Sequence, residues 1–236
     1  MNKAIMLSLQ GKWGAKIANG KKIIELRKDA PKDWKEYLDK KTDKLPAEIE
    51  VFMYITQQDD IARLSGMPND EFVCDCYPMT EEQFKRMKSG YSAKGKVIGK
   101  FTLRKVDKIM TCLDGACRWF FIRGDKPTIT NADVFNYGWD LKKKSACEFN
   151  EIECYFENKI GTSYYETHRT KYVGYAWHIE DLVIFDKPIE LKEFYPYCKD
   201  KNCIYRKYHC SICYREPLRR APQSWCYCEM LRDAII

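Results

Sequence analysis

Three charged residues near the start of the chain have the types and spacing of a small polar site: Lys22, Glu25 and Arg27. The run from Lys22 to Lys28 is short and rich in apolar residues, which predicts a β-strand. In a strand Glu25 and Arg27 share one face, and Lys22 lies near the preceding turn. Such a set could bind a polar ligand. The pattern alone favours the alternative of a solvated charged face, where an exposed pair contributes only ~0–1 kcal/mol.

The elements that must position this set are predicted by the residues before it. Trp13 and Ile17 are four residues apart, so on a helix they face the same way. Asn19-Gly20 follows at once, and a glycine directly after the last periodic residue commonly ends a helix. The sequence therefore predicts a strand, a short helix, a turn and the charged strand.

Four segments together resemble one known family. Residues 20–27, Gly-Lys-Lys-Ile-Ile-Glu-Leu-Arg, resemble the Gly-x-Lys-x-x-Glu-x-Arg signature of the ASCH domain, a member of the PUA-like superfamily. Residues 95–103 resemble the central strand of that family. Residues 174–188 and 220–225 resemble segments of its larger, phage-type members. The resemblance implies an α+β, mainly β fold: a partly open PUA-like β-barrel with flanking helices, and a ligand groove beside the first helix and the motif strand.

The resemblance also implies a ligand class, because ASCH domains are implicated in recognising RNA or modified nucleosides. Lys22 and Arg27 would then engage a phosphate or a base edge, and Glu25 would accept a hydrogen bond from an exocyclic amine. Trp13 would stack on a base, although it could equally be a core residue. Ser224, in the last matching segment, is also expected to contact the ligand. The expected partner is therefore RNA or a modified nucleoside.

An enzyme is the alternative. Small ASCH members include an amidohydrolase that removes the acetyl group from acetylated cytidine, and ribonuclease activity has been suggested for others. The amidohydrolases use a Lys-x-x-Thr pair in which lysine activates the threonine hydroxyl. Here Glu25 stands at the threonine position, so that nucleophile is missing. If the protein is a hydrolase, Lys22 and Glu25 are its catalytic residues, with Glu25 activating a water. Binding is favoured, and a phage regulator acting through a protein partner stays open.

The 12 cysteines point to metal binding or core packing in a reducing compartment. Four of them lie within 16 residues, with a spacing that suits a closed tetrahedral zinc site: Cys198, Cys203, Cys210 and Cys213. His209 could replace one thiolate, and four reduced, unliganded cysteines are the alternative. Cys112 and Cys117 flank a turn and could pair or help to bind a second metal.

Residues 145–156 predict a helix in the middle of the chain. Ser145-x-x-Glu148 fits a capping box, and the residues that follow place Phe149, Ile152 and Phe156 on one side. Cys147 lies at the start of this pattern and is expected to pack in the core. We expect a single domain over 1–236, with a helical insertion at 107–171 that contains at least two helices, one starting after Thr130-Asn131, and a zinc-binding insertion at 195–220.

Composition limits the remaining classes of function. The chain carries a net charge of +7, which favours a polyanionic partner, although a solvated basic surface is equally compatible. The sequence contains no run of about 18 apolar residues, so it does not predict a membrane-spanning helix. We expect a cytoplasmic protein, in the bacterial host cytosol if it is phage-encoded. His178 could act in acid–base chemistry or serve as a hydrogen-bonded structural residue.

Overall fold

The computed structural model describes residues 3–56, 94–113, 119–123, 131–157, 171–197 and 216–230. Their elements, in chain order, are β1 (Ala4–Leu9), α1 (Gly11–Ala18), β2 (Ile24–Arg27), α2 (Lys32–Leu38), β3 (Ile49–Ile55), β4 (Lys96–Leu103), β5 (Val106–Leu113), β6 (Trp119–Arg123), α3 (Asn131–Ser145), α4 (Phe149–Glu157), β7 (Lys171–His178), β8 (Glu180–Glu190), a 3₁₀ turn (Leu191–Glu193), β9 (Phe194–Pro196) and β10 (Trp225–Met230). Strands dominate, which confirms the predicted mainly β class with flanking helices.

The chain divides into two compact units, each assembled from separate stretches. The first unit comprises Met1–Gly20, Ile49–Thr102 and Asp181–Ile236, and the second comprises Lys21–Glu48 and Leu103–Glu180. We call them the six-stranded unit and the four-stranded unit after their sheets. Among the described residues neither sheet closes on itself. The expectation of a single domain over 1–236 stays a prediction.

The six-stranded sheet has the order β8-β4-β3-β1-β10-β9. Strand β1 pairs in parallel with β3 and antiparallel with β10, and all six of its residues are buried. One face carries a hydrophobic core whose buried members are Ala4, Met6, Phe52, Tyr54, Val97, Leu191, Phe194 and Cys228. Helix α1 packs beside β3, where a side chain at Gly14 would collide with Ile55. Gly20, at a φ of +70°, donates its N–H to the Ile17 carbonyl (2.9 Å), as predicted for the end of this helix.

The four-stranded sheet has the order β2-β7-β5-β6. Its edge strand β2 is only four residues long, and all four are buried. Helix α2 packs against β5, and α3 packs against both β6 and β2. The Ile23 N–H donates to the Lys144 carbonyl at 2.8 Å, which joins the start of β2 to the end of α3. The charged motif therefore lies on a short strand fixed by a helix and by β7.

One sequence expectation in this unit needs correction. The 107–171 segment contains two helices, and α3 begins at Asn131, but most of β5 and all of β6 also fall in this range. The expectation of a helical insertion at 107–171 stays a prediction. The capping box is displaced: Ser145 ends α3, and the carboxylate of Glu151 accepts the Glu148 N–H at 2.9 Å. The Glu151 side chain therefore caps the start of α4, and Ala146 turns the chain at a φ of +51° between the two helices.

Candidate functional site

Strand β2 places the charged motif by its pairing with β7. Glu25 lies opposite Trp177, and Arg27 lies opposite Tyr175. Opposed residues of an antiparallel pair point to the same face, so both charged side chains lie beside large aromatic rings. Trp177 is fully buried and Tyr175 is 4% exposed. The sequence placed Glu25 and Arg27 on one face correctly, and that face is covered by the fold.

Lys22, Glu25 and Arg27 converge into one cluster, which we call the charged triplet. Glu25 lies at its centre: Oε1 is 2.9 Å from a terminal guanidinium nitrogen of Arg27, and Oε2 is 3.3 Å from Lys22 Nζ. The exposed fractions of the three residues are 3%, 6% and 8%. The alternative of a solvated charged face is therefore wrong. An ion pair at this depth has lost most of its hydration, unlike a surface pair.

Lys22 makes further contacts that the sequence did not predict. Its Nζ donates to the Ser145 carbonyl at 3.0 Å and lies 3.9 Å from Cys147 Sγ. Both partners are more than 120 residues away along the chain, in the turn between α3 and α4, so no local pattern signals them. Cys147 is buried, as expected for a core residue, and burial raises the pKa of its thiol. The turn between α3 and α4 thus fixes the position of the Lys22 side chain.

Tyr155 on α4 is a second neighbour that sequence reasoning missed. Desolvation raises the pKa of its hydroxyl, while the nearby charge of Arg27 and a hydrogen bond with the Lys28 backbone lower it. The charge of Glu25 acts in the raising direction. The only sequence signal was an aromatic residue next to Phe156 on the predicted helix, which gives no indication of what it faces.

His178 belongs to a separate pair on the same sheet. Its Nε2 lies 2.9 Å from Asp107 Oδ2, and the Asp107 side chain is 6% exposed. Lys105 Nζ lies 3.9 Å from the other carboxylate oxygen. This geometry supports the structural interpretation of His178, in which a buried carboxylate fixes the ring. The pair also provides an internal comparison for the charged triplet, because both contain a buried acid.

The other two expected ligand residues, Trp13 and Ser224, belong to the six-stranded unit. Trp13 is half-buried, and the ammonium groups of Lys12 and Lys16 lie 4.4 and 4.6 Å from its ring centroid. Ser224 is exposed, and its carbonyl accepts the Ser8 N–H at 2.9 Å. The structure therefore brings together Lys22, Glu25 and Arg27 in one unit and leaves Trp13 and Ser224 in the other.

The predicted zinc ligands Cys198, Cys203, Cys210 and Cys213, with His209, lie outside the described residues. Cys112 lies on β5, and Cys117 is also outside them. Within the described residues no cluster of three or more His, Cys, Asp or Glu side chains could hold a metal ion. Among the same residues, no helix has the length and apolar character needed to span a bilayer.

Comparison with known proteins gives solved structures alone. No protein-family model matches the chain, and no curated protein does. The chain is similar to the crystal structure of ASCH from Zymomonas mobilis, at 16% identity over 97% of this chain and 87% of that one, with a TM-score of 0.42. A substituted form of that protein gives 16% identity over 99% and 93% of the two chains, with a TM-score of 0.42. A second substituted form gives 15% identity over 98% of this chain and 89% of that one, with a TM-score of 0.39. These are structures of ASCH, the domain whose signature residues 20–27 resemble.

Proposed function

We propose that the charged triplet binds RNA or a modified nucleoside. The observation that carries this proposal is the position of Glu25, held between Lys22 and Arg27 with all three residues at least nine-tenths buried. A four-residue edge strand does not need such a cluster for its stability. Apolar residues of similar volume often stabilise a fold equally well or better than a buried ion pair. Buried, mutually paired charges are therefore a feature of functional sites more than of plain packing.

The chemistry of the triplet suits a nucleotide. Its formal charges sum to one positive charge, which favours an anionic group such as a phosphate. The guanidinium of Arg27 presents donors in a planar fork that matches phosphate oxygens and base edges. A carboxylate can accept about four hydrogen bonds, so Glu25 can hold two cations and still accept from an exocyclic amine. The ASCH resemblance implies the same ligand class, and with it a phage-type protein acting in a bacterial cytosol.

A hydrolase acting on a modified nucleoside is the second candidate, favoured by one contact. Lys22 Nζ reaches the residue three positions ahead, as the Lys-x-x-Thr pair of the amidohydrolases would require. That residue is Glu25, and both of its oxygens are engaged by cations. We therefore favour binding. Incubation with N4-acetylcytidine should leave the nucleoside unchanged, and release of cytidine that stops in Glu25→Gln would support the hydrolase instead.

The binding proposal is tested by comparing two buried acids of the same sheet. Glu25→Gln preserves the shape of the side chain and removes its charge, and Asp107→Asn does the same in the Asp107–His178 pair. Binding of cytidine 5′-monophosphate and of a short single-stranded RNA would be measured by calorimetry and fluorescence anisotropy. Because a hydrogen bond to a charged group is worth ~1.5–3 kcal/mol, Glu25→Gln should weaken binding about 10-fold or more.

The Asp107→Asn variant should bind like the unsubstituted protein, even if it unfolds at a lower temperature. The proposal fails if the unsubstituted protein binds neither probe, or if Glu25→Gln binds as tightly as the unsubstituted protein. Arg27→Ala is less informative than the isosteric change, since it would leave Glu25 buried with one counter-charge fewer.

We also propose, from the sequence alone, a structural zinc ion held by Cys198, Cys203, Cys210 and Cys213. Thiolates at this spacing suit tetrahedral zinc, which would supply folding energy to a segment with little apolar content. Elemental analysis of protein purified without chelator should find one zinc per chain. Cys203→Ser should lower the zinc content, whereas the control Cys226→Ser should not. Protein that contains no metal contradicts this proposal.

A further inference from the structure

Tyr155 combines an exposed ring with a fixed orientation. It is 37% exposed, although both its hydroxyl and its ring contact neighbouring residues. Its hydroxyl forms a hydrogen bond with the Lys28 backbone, and its ring meets Phe156 edge-on with centroids 4.9 Å apart. A tyrosine held in this way loses little conformational entropy when a ligand contacts it.

Helix α4 sets this ring beside the charged triplet. Phe156 is fully buried and lies so close to Gly174 that a Cβ at that glycine would be 2.5 Å from the phenyl ring. The same Cβ would be 2.6 Å from the Arg27 carbonyl oxygen, so the helix and the end of β2 meet at Gly174. Lys28 directly follows Arg27, and its Nζ lies 5.2 Å from the centroid of the Tyr155 ring. The residue that directly follows β2 therefore contacts Tyr155.

We propose that Tyr155 is the stacking platform for the base of the ligand, and that Lys28 holds the adjoining phosphate. This inference rests on the proposed function and adds to it a specific requirement for a planar base. The triplet alone would select charge and hydrogen-bonding groups. Tyr155 selects an aromatic ring, because stacking of a base on an aromatic side chain tolerates any base but needs its π-face.

The contact of Lys28 with the ring supports this division of roles. An ammonium within about 6 Å of a ring centroid is attracted by the π-face, so Lys28 Nζ is held beside the ring to which the proposal assigns the base. Lys28 is itself half-buried, which limits its freedom. A nucleotide could thus contact Tyr155 with its base and Lys28 with its phosphate.

Trp139 on α3 offers a matched control. It is 49% exposed, its ring centroid is 5.2 Å from that of Phe149, and Lys142 Nζ lies 5.3 Å from its ring. Like Tyr155, it is therefore an exposed aromatic residue with an edge-on aromatic neighbour and a lysine near its ring. A ligand that simply prefers any exposed aromatic residue with a lysine would lose affinity equally in both variants.

The experiment compares cytidine 5′-monophosphate with ribose 5-phosphate, which has the sugar and phosphate but no base. Because stacking of one base on an aromatic side chain is worth ~1–3 kcal/mol, the unsubstituted protein should prefer the nucleotide by about 5- to 150-fold. Tyr155→Ala should remove most of this preference and leave the affinity for ribose 5-phosphate unchanged. Tyr155→Phe, which keeps the ring, and Trp139→Ala should both retain the preference.

The inference is overturned if Tyr155→Ala keeps the full preference for the nucleotide, or if Trp139→Ala loses as much of it. Should Tyr155→Ala fail to fold, Tyr155→Leu replaces it, because leucine keeps apolar volume without a π-face. These outcomes are distinct from failure of the proposed function. If Glu25→Gln weakens binding and Tyr155→Ala has no effect, the function holds and the stacking role is wrong. If the unsubstituted protein binds neither nucleotide nor RNA, both are wrong.

Discussion

The two sheets of this protein treat charged side chains differently. On the six-stranded sheet the ion pairs Lys96–Glu190 and Lys100–Glu50 involve side chains that are 28–50% exposed. On the four-stranded sheet both side chains of the Glu25–Arg27 pair are at most 10% exposed. Surface pairs contribute little to stability, while a buried charge is tolerated where its partners are fixed. The Glu25–Arg27 pair is therefore the one whose burial calls for an explanation, which the proposed binding function supplies.

The six-stranded unit also contains a buried charged residue. Among the described residues of the six-stranded unit, Glu229 is a buried carboxylate on β10. The charged triplet differs in that it gathers two cations around one acid within six residues. A single buried charge therefore does not distinguish the proposed binding site. What distinguishes it is that several buried charges converge at one short strand.

The largest effect is expected from removing the central acid. Glu25→Ala leaves two buried cations without their shared partner and should lower the free energy of unfolding by about 3–5 kcal/mol. Glu50→Ala on the six-stranded sheet should lower it by less than about 1 kcal/mol, because that pair is solvated. Denaturant unfolding of both variants measures the difference. Equal losses would show that burial of the triplet has no energetic consequence, and the contrast between the sheets would collapse.

A triple replacement sharpens the same contrast. Exchanging Lys22, Glu25 and Arg27 together for Met, Leu and Met removes every charge of the cluster at similar volume. Stability should return to within about 1–2 kcal/mol of the unsubstituted protein, or exceed it, since apolar packing often replaces a buried ion cluster without loss. Binding of cytidine 5′-monophosphate should be abolished. A stable triple variant that still binds the nucleotide would place the ligand elsewhere.

An intermediate effect is expected at two glycines, one in each sheet. A Cβ at Gly174 would meet Phe156 and the Arg27 carbonyl, and a Cβ at Gly99 would meet the Val183 carbonyl. Each change to alanine should cost ~1–3 kcal/mol, because a backbone oxygen cannot move aside easily. Gly174→Ala should in addition weaken nucleotide binding, since it displaces the end of β2 or α4. Titration calorimetry on both variants checks this, and equal binding would count against the placement of the site.

The smallest effect is expected at a partly exposed pair on the four-stranded unit. Lys108 Nζ lies 2.7 Å from Asp39 Oδ1, and this contact lowers the pKa of the Asp39 carboxyl. A lowered carboxyl pKa stabilises the fold above the unfolded value of about 3.9, and that stability is lost as the pH falls through the folded pKa. Lys108→Met should raise the pKa of Asp39 in an NMR titration and remove less than about 1 kcal/mol at neutral pH.

A larger loss of unfolding free energy in Lys108→Met would mean that partly exposed charges on this sheet also contribute substantially to stability. The distinction drawn above, between exposed pairs and the buried triplet, would then be wrong. An unchanged titration of Asp39 would show instead that another cation holds its pKa down.

Local patterns predicted much of the architecture. Helix α1 ends at Asn19-Gly20 as predicted, and the predicted strands before and after it are present as β1 and β2. The capping box failed because Ser145 ends α3, the left-handed Ala146 separates the two helices, and the Glu148 N–H is bonded by Glu151, although glutamate is not a favoured residue at that position. The strands β5 and β6 were missed because their pairing with each other and with β7 is a tertiary property.

The sequence by itself determined that Lys22, Glu25 and Arg27 could act together. Spacing along a strand is a local property, and two residues that are two positions apart on a strand, such as Glu25 and Arg27, point to the same face. Only the tertiary structure decided that the three are buried, that Ser145 holds Lys22 from 123 residues away, and that Tyr155 stands beside them. The physical reason is that the burial of a strand depends on which distant segments pack over it. The spacing of residues within the strand carries no information about those segments.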